Sequence, residues 1–247
     1  MSINTKNIPG SSLGDGGKYK HLFFDLDHTL WDFEANALAT LETLYEDLKL
    51  KERGVNDFDL FYKNYLGYNE MLWERYRKGF IKQEELRVKR MRLALLDFKI
   101  ADEALAQKMN VQFLELLPTR TILFPHAKEI LQWLLSKNYE LHLITNGFEK
   151  VQHSKLKYSG LDIFFKEVIT SEGSNSLKPN KEIFEFAFQK TKANPASSIM
   201  IGDTIDVDIQ GAINAGIDQV FVNHTGISTA VKPTYTVTSL KELEDIF

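Results

Sequence analysis

Acidic side chains recur in this chain directly after short apolar runs that have the length of buried strands. Asp25 and Asp27 follow the first such run, and Asp203 and Asp208 follow a later one. In an open parallel sheet the carboxyl ends of the strands form one edge, where ligands bind, so we expect these side chains to meet there. Crowded carboxylates are unfavourable unless a cation neutralises them, and hard oxygen ligands suit Mg²⁺. The sequence therefore predicts a Mg²⁺ site at this edge.

Groups that can bind and transfer a phosphoryl group fall at the same edge. Thr145 and Asn146 end the second predicted strand, and Lys178 precedes a predicted helix. A lysine and a hydroxyl can hold phosphoryl oxygens, and a carboxylate can attack phosphorus to give an aspartyl-phosphate. A second carboxylic acid two positions away could protonate the leaving oxygen and later activate water. This combination predicts phosphoryl transfer with Asp25 and Asp27 as the two acids.

The elements that must position these residues alternate between strand and helix. Helical spacing of apolar residues covers 127 to 137 and 181 to 191. Short apolar runs predict five strands, at HLFFDL from His21, ELHLIT from Glu140, FKEVIT from Phe165, SIMIG from Ser198 and QVFVN from Gln219. The alternation predicts an α/β fold, with a Rossmann-like parallel sheet that carries helices on both faces.

One long interval interrupts the alternation with helical spacing alone. Three apolar stripes lie in it, each with the spacing of one helix face: Leu38, Leu41, Tyr45 and Leu48; Phe58, Phe61, Tyr62, Tyr65 and Leu72; Leu105, Met109, Phe113 and Leu116. A crossover between parallel strands needs only one helix. We therefore predict an inserted all-helical subdomain at about residues 33–118, within an α/β core formed by 19–32 and 119–247.

The first residues have a different composition. Positions 1–18 are rich in Gly, Ser and Asn and nearly free of bulky apolar side chains, which predicts a flexible tail. The stretch GDGGKY, Gly14 to Tyr19, suggests a phosphate-binding loop. No strand precedes it, and Tyr19 stands where Ser or Thr must bind magnesium, so we do not interpret it as one.

Composition restricts the class of partner. The chain has 247 residues, a formal net charge of −4 and no cysteine. The weak acidity argues against nucleic acid as a partner, and the lack of cysteine excludes disulfides, thiolate metal sites and cysteine nucleophiles. No apolar run reaches the roughly 20 residues of a membrane span, and no signal peptide is evident. We expect a cytoplasmic monomer or homodimer that acts on a small phosphorylated metabolite, with neither nucleic acid nor membrane as a partner.

Four segments, in this order and spacing, resemble the four motifs of the haloacid dehalogenase superfamily: DLDHTL at 25–30, ITNG at 144–147, LKPN at 177–180 and GDTIDVD at 202–208. The resemblance covers about residues 20–247. It implies that the helical insertion is that family's cap and that the enzyme is a Mg²⁺-dependent phosphatase.

The resemblance also implies a role for each motif residue. Asp25 would be the nucleophile and a Mg²⁺ ligand, and Asp27 the general acid and base, whose backbone carbonyl also binds the metal. Thr145 and Lys178 would bind phosphoryl oxygens. The metal set would be completed by Asp203, with Asp208 holding metal-bound waters or orienting Lys178.

Specificity has its own candidates in the insertion. Trp73, Tyr76 and Arg77 lie within two helical turns, and aromatic and guanidinium groups together could stack on and pair with a nucleobase. Packing of the insertion's own core explains Trp73 equally well. Asn146 could shape its loop or donate to the phosphate or the leaving group. The aromatic stretch, ITNGF at 144–148 and GAINAG at 211–216 resemble the pyrimidine 5′-nucleotidase branch, which implies a nucleoside monophosphate as substrate.

Other functions stay open at this point. Sugar phosphates or phosphoglycolate could replace the nucleotide, and a phosphomutase would use the same two aspartates. Carbon–halogen hydrolysis needs neither a metal nor a leaving-group acid, so Asp27 argues against it. A signalling receiver domain also carries Asp, Thr and Lys on a parallel sheet, but the helical insertion is foreign to it.

Overall fold

The computed structural model describes residues 17–247. The predicted tail at 1–18 therefore lies outside the described residues except for its last two positions, and so does the first half of the GDGGKY stretch. The six strands are β1 (His21–Phe24), β2 (Glu140–Thr145), β3 (Glu167–Thr170), β4 (Ser198–Gly202), β5 (Asp218–Val222) and β6 (Tyr235–Val237). They form one sheet in the order β3-β2-β1-β4-β5-β6, and every neighbouring pair is parallel. The predicted parallel α/β fold is confirmed.

The α-helices of the described residues are α1 (Phe33–Asp47), α2 (Phe58–Arg77), α3 (Gln83–Leu96), α4 (Glu103–Leu116), α5 (Ala127–Ser136), α6 (Glu149–Ser159), α7 (Ser171–Ser174), α8 (Lys181–Thr191) and α9 (Gln210–Asn214). No helix among them is both long and apolar enough to cross a bilayer.

Successive side chains of β1 point to opposite faces of the sheet, and each face makes its own apolar contacts. Phe23 packs in a cluster with Ile183 and Phe184 of α8, whereas Leu22 and Phe24 belong to the large cluster that includes Ile130 of α5. Both faces are therefore covered, and this explains why every residue of β1 is buried and why the strand reads as an unbroken apolar run.

Helices α1 to α4 all lie between β1 and β2, where the sequence predicts an inserted subdomain. Three of them begin at an aspartate N-cap: the carboxylates of Asp32, Asp57 and Asp102 each accept a backbone N–H three residues later. Helix α3 is not among the predicted stripes; charged side chains interrupt its apolar residues. The boundaries 33–118 stay a prediction, since the apolar core of these helices is continuous with that of the sheet.

Two details of the sheet differ from expectation. Strand β1 ends at Phe24, two residues before the end of its apolar run, and β3 begins at Glu167 instead of Phe165. The sixth strand, β6, was not expected from the sequence. It has three residues, two of them exposed, and pairs only with β5, so it lacks the apolar run that marks a buried strand.

Candidate active site

A cavity of about 670 Å³ lies at the carboxyl ends of the central strands, roofed by α2 and α3. Nine of the ten predicted site residues line it: Asp25, Asp27, Trp73, Arg77, Thr145, Asn146, Lys178, Asp203 and Asp208. Tyr76 is the exception. The strand ends thus bring together residues more than 180 positions apart in the sequence, as a parallel sheet must.

Lys178 lies at the centre of the cluster of acidic side chains. Its Nζ donates to Asp25 Oδ1 and to the backbone carbonyl of Ile144, both at 2.6 Å, and lies 2.7 Å from Asp208 Oδ1. The side chain is almost fully buried. Burial opposes its charge, but Asp208 and Asp25 hold the pKa of Lys178 above its ordinary value. Because three oxygens surround the ammonium group, it orients Asp25 and Asp208 and would have to exchange one of them to contact a phosphoryl oxygen directly.

Asp25, Asp203 and Asp208 form a cluster that fits a hard divalent cation. Each can offer one oxygen within 4.8 Å of the others. Burial, followed by repulsion from Asp208, raises the pKa of Asp203 to about 6, and burial likewise raises the pKa of Asp25. Asp203 is held by the hydroxyls of Thr29 (2.8 Å) and Thr204 (3.0 Å). An oxygen-only donor set whose members repel one another suits Mg²⁺.

Asp208 is fixed by its own helix as well as by Lys178. Its Oδ2 accepts the backbone N–H of Thr204 at 3.0 Å, at the start of a π-helical turn over Ile205–Ile209. Thr204 occupies the N-cap position of this turn, and Asp206 is exposed within it. The carboxylate that accepts the Thr204 N–H therefore belongs to Asp208, which also lines the cavity.

Asp27 is held by a different lysine from a different element. Lys155 Nζ donates to Asp27 Oδ1 at 2.6 Å, and Gln152 Nε2 donates to Asp27 Oδ2 at 3.0 Å. Both donors are buried on α6. The ammonium group of Lys155 also lies 4.3 Å from the centre of the Trp31 ring. Burial lowers the pKa of Lys155, and Asp27 opposes that effect. The two aspartates, two positions apart, thus have separate partners.

The hydroxyl of Thr145 is arranged as a donor into the cavity. It accepts two hydrogen bonds, from the backbone N–H of Gly147 at 3.1 Å and from Gln152 Nε2 at 2.8 Å. A hydroxyl has one hydrogen and two lone pairs, so its hydrogen is left to donate. Gln152 consequently links Thr145 and Asp27 through its single amide nitrogen.

Asn146 ties two loops together. Its Oδ1 accepts the backbone N–H of Lys178 at 2.8 Å, and its Nδ2 donates to the carbonyl of Lys178 at 2.9 Å. One Nδ2 hydrogen remains for another acceptor. The geometry favours the loop-shaping interpretation of Asn146, and its predicted contact with substrate stays a prediction.

The aromatic residues of α2 both pack and line the cavity. Trp73 stacks on Phe148, with ring centres 5.3 Å apart, and both line the cavity. Tyr76 packs edge-on against Trp73 at 5.7 Å instead of reaching the cavity. The guanidinium of Arg87 lies 4.0 Å from the centre of the Phe148 ring. The structure thus brings Trp73 and Arg77 to the cavity but not Tyr76.

Sequence reasoning missed, among others, Thr29, which holds Asp203, and the lining residues Gln152, Lys155 and Arg90. A signal existed for two of them. Gln152 and Lys155 are three positions apart on one face of α6, directly after the Thr145 strand end, and a polar pair on a buried helix face is unusual. Thr29 and Arg90 gave none: Thr29 lies in a short mixed stretch after the first strand, and Arg90 is one of several charged residues of α3.

Comparison with known proteins places this geometry in a family. The profile of haloacid dehalogenase-like hydrolases matches residues 19–216. The pyrimidine 5′-nucleotidase PynA of Streptococcus pneumoniae is 34% identical over 92% of this chain and 94% of its own. The pyrimidine 5′-nucleotidase YjjG of Escherichia coli is 31% identical over 93% of this chain and 98% of its own. The crystal structure of the HAD-hydrolase YfnB from Bacillus subtilis, bound to magnesium, is 27% identical, has a TM-score of 0.84 and covers 93% of this chain and 99% of that one.

Proposed function

The chain belongs to the haloacid dehalogenase-like hydrolases, and we propose that it is a Mg²⁺-dependent phosphatase of pyrimidine nucleoside 5′-monophosphates. One observation carries the phosphatase chemistry. Asp25 and Asp27 enter the same cavity, yet one is paired with Lys178 and the other with Lys155 and Gln152. Two carboxyl groups in different environments can take the two roles that phosphoryl transfer requires.

Asp25 is the nucleophile in this proposal. Lys178 holds one of its oxygens at 2.6 Å, which fixes the carboxylate and leaves the other oxygen to attack phosphorus. The new Asp25–phosphorus bond forms as the bond from phosphorus to the leaving oxygen breaks. Thr145 donates its hydroxyl hydrogen to a phosphoryl oxygen, since both its lone pairs are already engaged.

Asp27 moves the protons. In the first step its carboxyl group gives a proton to the leaving 5′-oxygen, and the nucleoside departs. In the second step its carboxylate takes a proton from water, whose oxygen attacks phosphorus and breaks the bond to Asp25, releasing phosphate. Lys155 and Gln152 position the carboxyl group for both steps.

Asp25 and Asp203, with the backbone carbonyl of Asp27, would hold Mg²⁺, and Asp208 would orient Lys178 or metal-bound water. The ion supplies positive charge that offsets the charge of the transferring phosphoryl group. Thr29 and Thr204 fix the Asp203 carboxylate, so its orientation does not depend on the ion alone.

The preference for a pyrimidine nucleotide is supported by the names of the two nucleotidase relatives and by the cavity wall. Trp73 and Phe148 place aromatic surface beside the phosphate-binding end, and Arg77 adds a donor. Aromatic faces with polar edges suit a planar, polar leaving group better than they suit glycolate or a hexose.

Two variants test the chemistry. Asp25→Asn should abolish turnover with the fold intact, because it removes the nucleophile and keeps the volume. Asp27→Asn keeps the nucleophile, so with an activated aryl phosphate it should accumulate a phosphoryl group on Asp25 that mass spectrometry detects. If product is released but no adduct at Asp25 ever appears, covalent catalysis is wrong.

A third variant tests the substrate. The wild-type enzyme should hydrolyse UMP or dTMP with higher kcat/KM than glycolate or hexose phosphates, and Trp73→Ala should remove that preference while retaining aryl-phosphate hydrolysis. Trp133→Ala is the matched control, since Trp133 is also half-buried but lies on α5, outside the cavity wall. A tenfold preference of the wild type for a sugar phosphate, or a Trp73→Ala effect confined to thermal stability, would refute the nucleotidase assignment.

A further inference from the structure

A buried guanidinium in the roof of the cavity has no acidic partner. Arg90 of α3 is 2% exposed, and its only hydrogen bond within residues 17–247 runs from Nη1 to Asn69 Oδ1, at 2.8 Å. None of the ion pairs in that part of the chain includes it. Its other neighbours are the rings of Phe113 and Tyr65, 4.9 Å and 5.8 Å from the guanidinium carbon. Buried charges are normally paired, so this arrangement needs an explanation.

Packing alone does not supply that explanation. The Nε atom of Arg90 and the hydroxyl of Tyr65 are both buried without a hydrogen-bond partner among the described residues. An apolar side chain of similar length would fill the same space between the rings without leaving polar atoms unsatisfied. Features that weaken local stability are commonly retained where they bind something.

Arg90 and its hydrogen-bond partner Asn69 face the catalytic cavity. Arg90 and Asn69 both line it, together with Asp25 and Asp27 at its phosphate-binding end and Trp73 on its aromatic wall. Asn69 comes from α2, one turn before Trp73, so the amide and the indole share one face of one helix. The same cavity therefore contains an aromatic surface, the guanidinium of Arg90 as a hydrogen-bond donor, and the acidic residues of the proposed phosphate site.

We propose that Arg90, oriented by Asn69, is a leaving-group subsite that donates hydrogen bonds to the ring carbonyl oxygens of a pyrimidine. A base needs a flat surface for its face and donors for its acceptor edge, and this wall offers both. Asn69 is a positioning residue, because its Oδ1 holds the guanidinium in one orientation. The inference rests on the proposed nucleotidase function and names the residues that would recognise the base.

Two substrates separate base recognition from phosphate chemistry. UMP and ribose 5-phosphate share the phosphate and the sugar, and only UMP carries the ring. In Arg90→Met the ratio of kcat/KM for UMP to that for ribose 5-phosphate should fall by about tenfold to a hundredfold, the range for losing hydrogen bonds to a charged group, with most of the loss in KM. The melting temperature should hold or rise, because Met fills the space without a buried charge.

Matched variants keep the test decisive. Arg92→Met changes an exposed arginine two positions along the same helix, ion-paired to Glu103, and should leave the ratio within twofold. Asn69→Ser should lower the ratio in the same direction as Arg90→Met. Should Arg90→Met fail to fold, Arg90→Lys keeps the charge but loses the forked donors, and must also lower the ratio.

One result would overturn the subsite while leaving the nucleotidase function standing: an unchanged ratio in Arg90→Met, whether neither substrate is affected or both lose kcat/KM by the same factor. If the wild type hydrolyses phosphoglycolate best and Arg90→Met affects that substrate most, the subsite binds a carboxylate and the ring assignment is wrong. A wild type that hydrolyses ribose 5-phosphate as well as UMP would instead refute the proposed function itself.

Discussion

Replacing Gly202 by alanine puts a methyl group into the centre of the acidic cluster. Gly202 ends β4, and a Cβ there would lie 2.5 Å from both Cγ and Oδ2 of Asp208, where ordinary contact begins at 3.4 Å. Asp208 would have to retreat by about 0.9 Å. It is buried and held on two sides, by the Thr204 N–H at 3.0 Å and by Lys178 at 2.7 Å, so movement costs at least one of these contacts.

The expected magnitude combines two effects. Overpacking a well-packed site costs about 1–3 kcal/mol, and weakening a buried ion pair adds to it, so we expect a loss of roughly 2–4 kcal/mol. For a chain of this size, that corresponds to a fall in melting temperature of roughly 5–15 °C. Because Lys178 also holds Asp25 at 2.6 Å, a displaced Asp208 should disturb the nucleophile and reduce kcat at least about a hundredfold.

Calorimetry and steady-state hydrolysis of an aryl phosphate measure the two effects, and Gly67→Ala is the stability control. Gly67 lies within α2. Apart from its chain neighbours and the backbone of its own helix, no atom lies within 4 Å of a Cβ added there. That substitution should raise stability by about 0.5–1 kcal/mol, since glycine is unfavourable in a helix. A Gly202→Ala enzyme that melts within 1 °C of wild type and keeps kcat within threefold would refute the close packing of Asp208.

Three further outcomes can be measured independently. Excess EDTA should abolish hydrolysis and added Mg²⁺ should restore it, whereas full turnover in chelator would contradict the metal assignment. Lys155→Met should lower kcat at least about tenfold, because Asp27 loses the ammonium group that holds it. The control Lys157→Met changes an exposed lysine of the same helix and should leave kcat within twofold of wild type. Equal kcat values for the two variants would show that the Lys155–Asp27 ion pair is dispensable. Burial lowers the pKa of His142 from 6.5 to about 4, so between those pH values the unfolded chain binds more protons and stability falls as the pH falls. From pH 7 to 5 the free energy of unfolding should fall by about 2 kcal/mol through this residue. Urea unfolding of His142→Leu should lack this fall. An unchanged dependence of unfolding free energy on pH in that variant would show that His142 does not titrate in this way.

The sheet was predictable because its strands are buried on both faces. A strand such as β1, with all four residues buried, must be an apolar run, and the acids that follow such runs must lie at the carboxyl edge. The same reasoning fails for β6. This strand lies at the edge of the sheet and pairs with β5 alone, and its residues Tyr235 and Thr236 are exposed. A short segment of mixed polarity has no distinctive sequence pattern.

The partners of the acids were only partly predictable. Asp25, Asp203 and Asp208 could be grouped from their positions after strands. The donors to Asp27 come from α6, more than 120 positions away, and nothing in the spacing of Gln152 and Lys155 reveals which carboxylate they reach. Long-range pairs between single polar residues depend on how a helix docks on the sheet, and this docking is decided by apolar packing.

The separation of the two aspartates illustrates what tertiary structure adds to a motif. Asp25 and Asp27 lie two positions apart, and in sequence they differ in nothing but position. In the folded chain Lys178 orients the first, while Lys155 of α6 orients the second. If one lysine served both carboxylates, holding the nucleophile would also hold the proton donor, and neither could be adjusted alone. With two lysines from two elements, a movement of α6 would, in the proposed mechanism, alter the proton transfers of Asp27 while the attack by Asp25 kept its geometry. The two steps of the proposed mechanism therefore depend on different side chains, with Lys178 holding Asp25 and Lys155 holding Asp27.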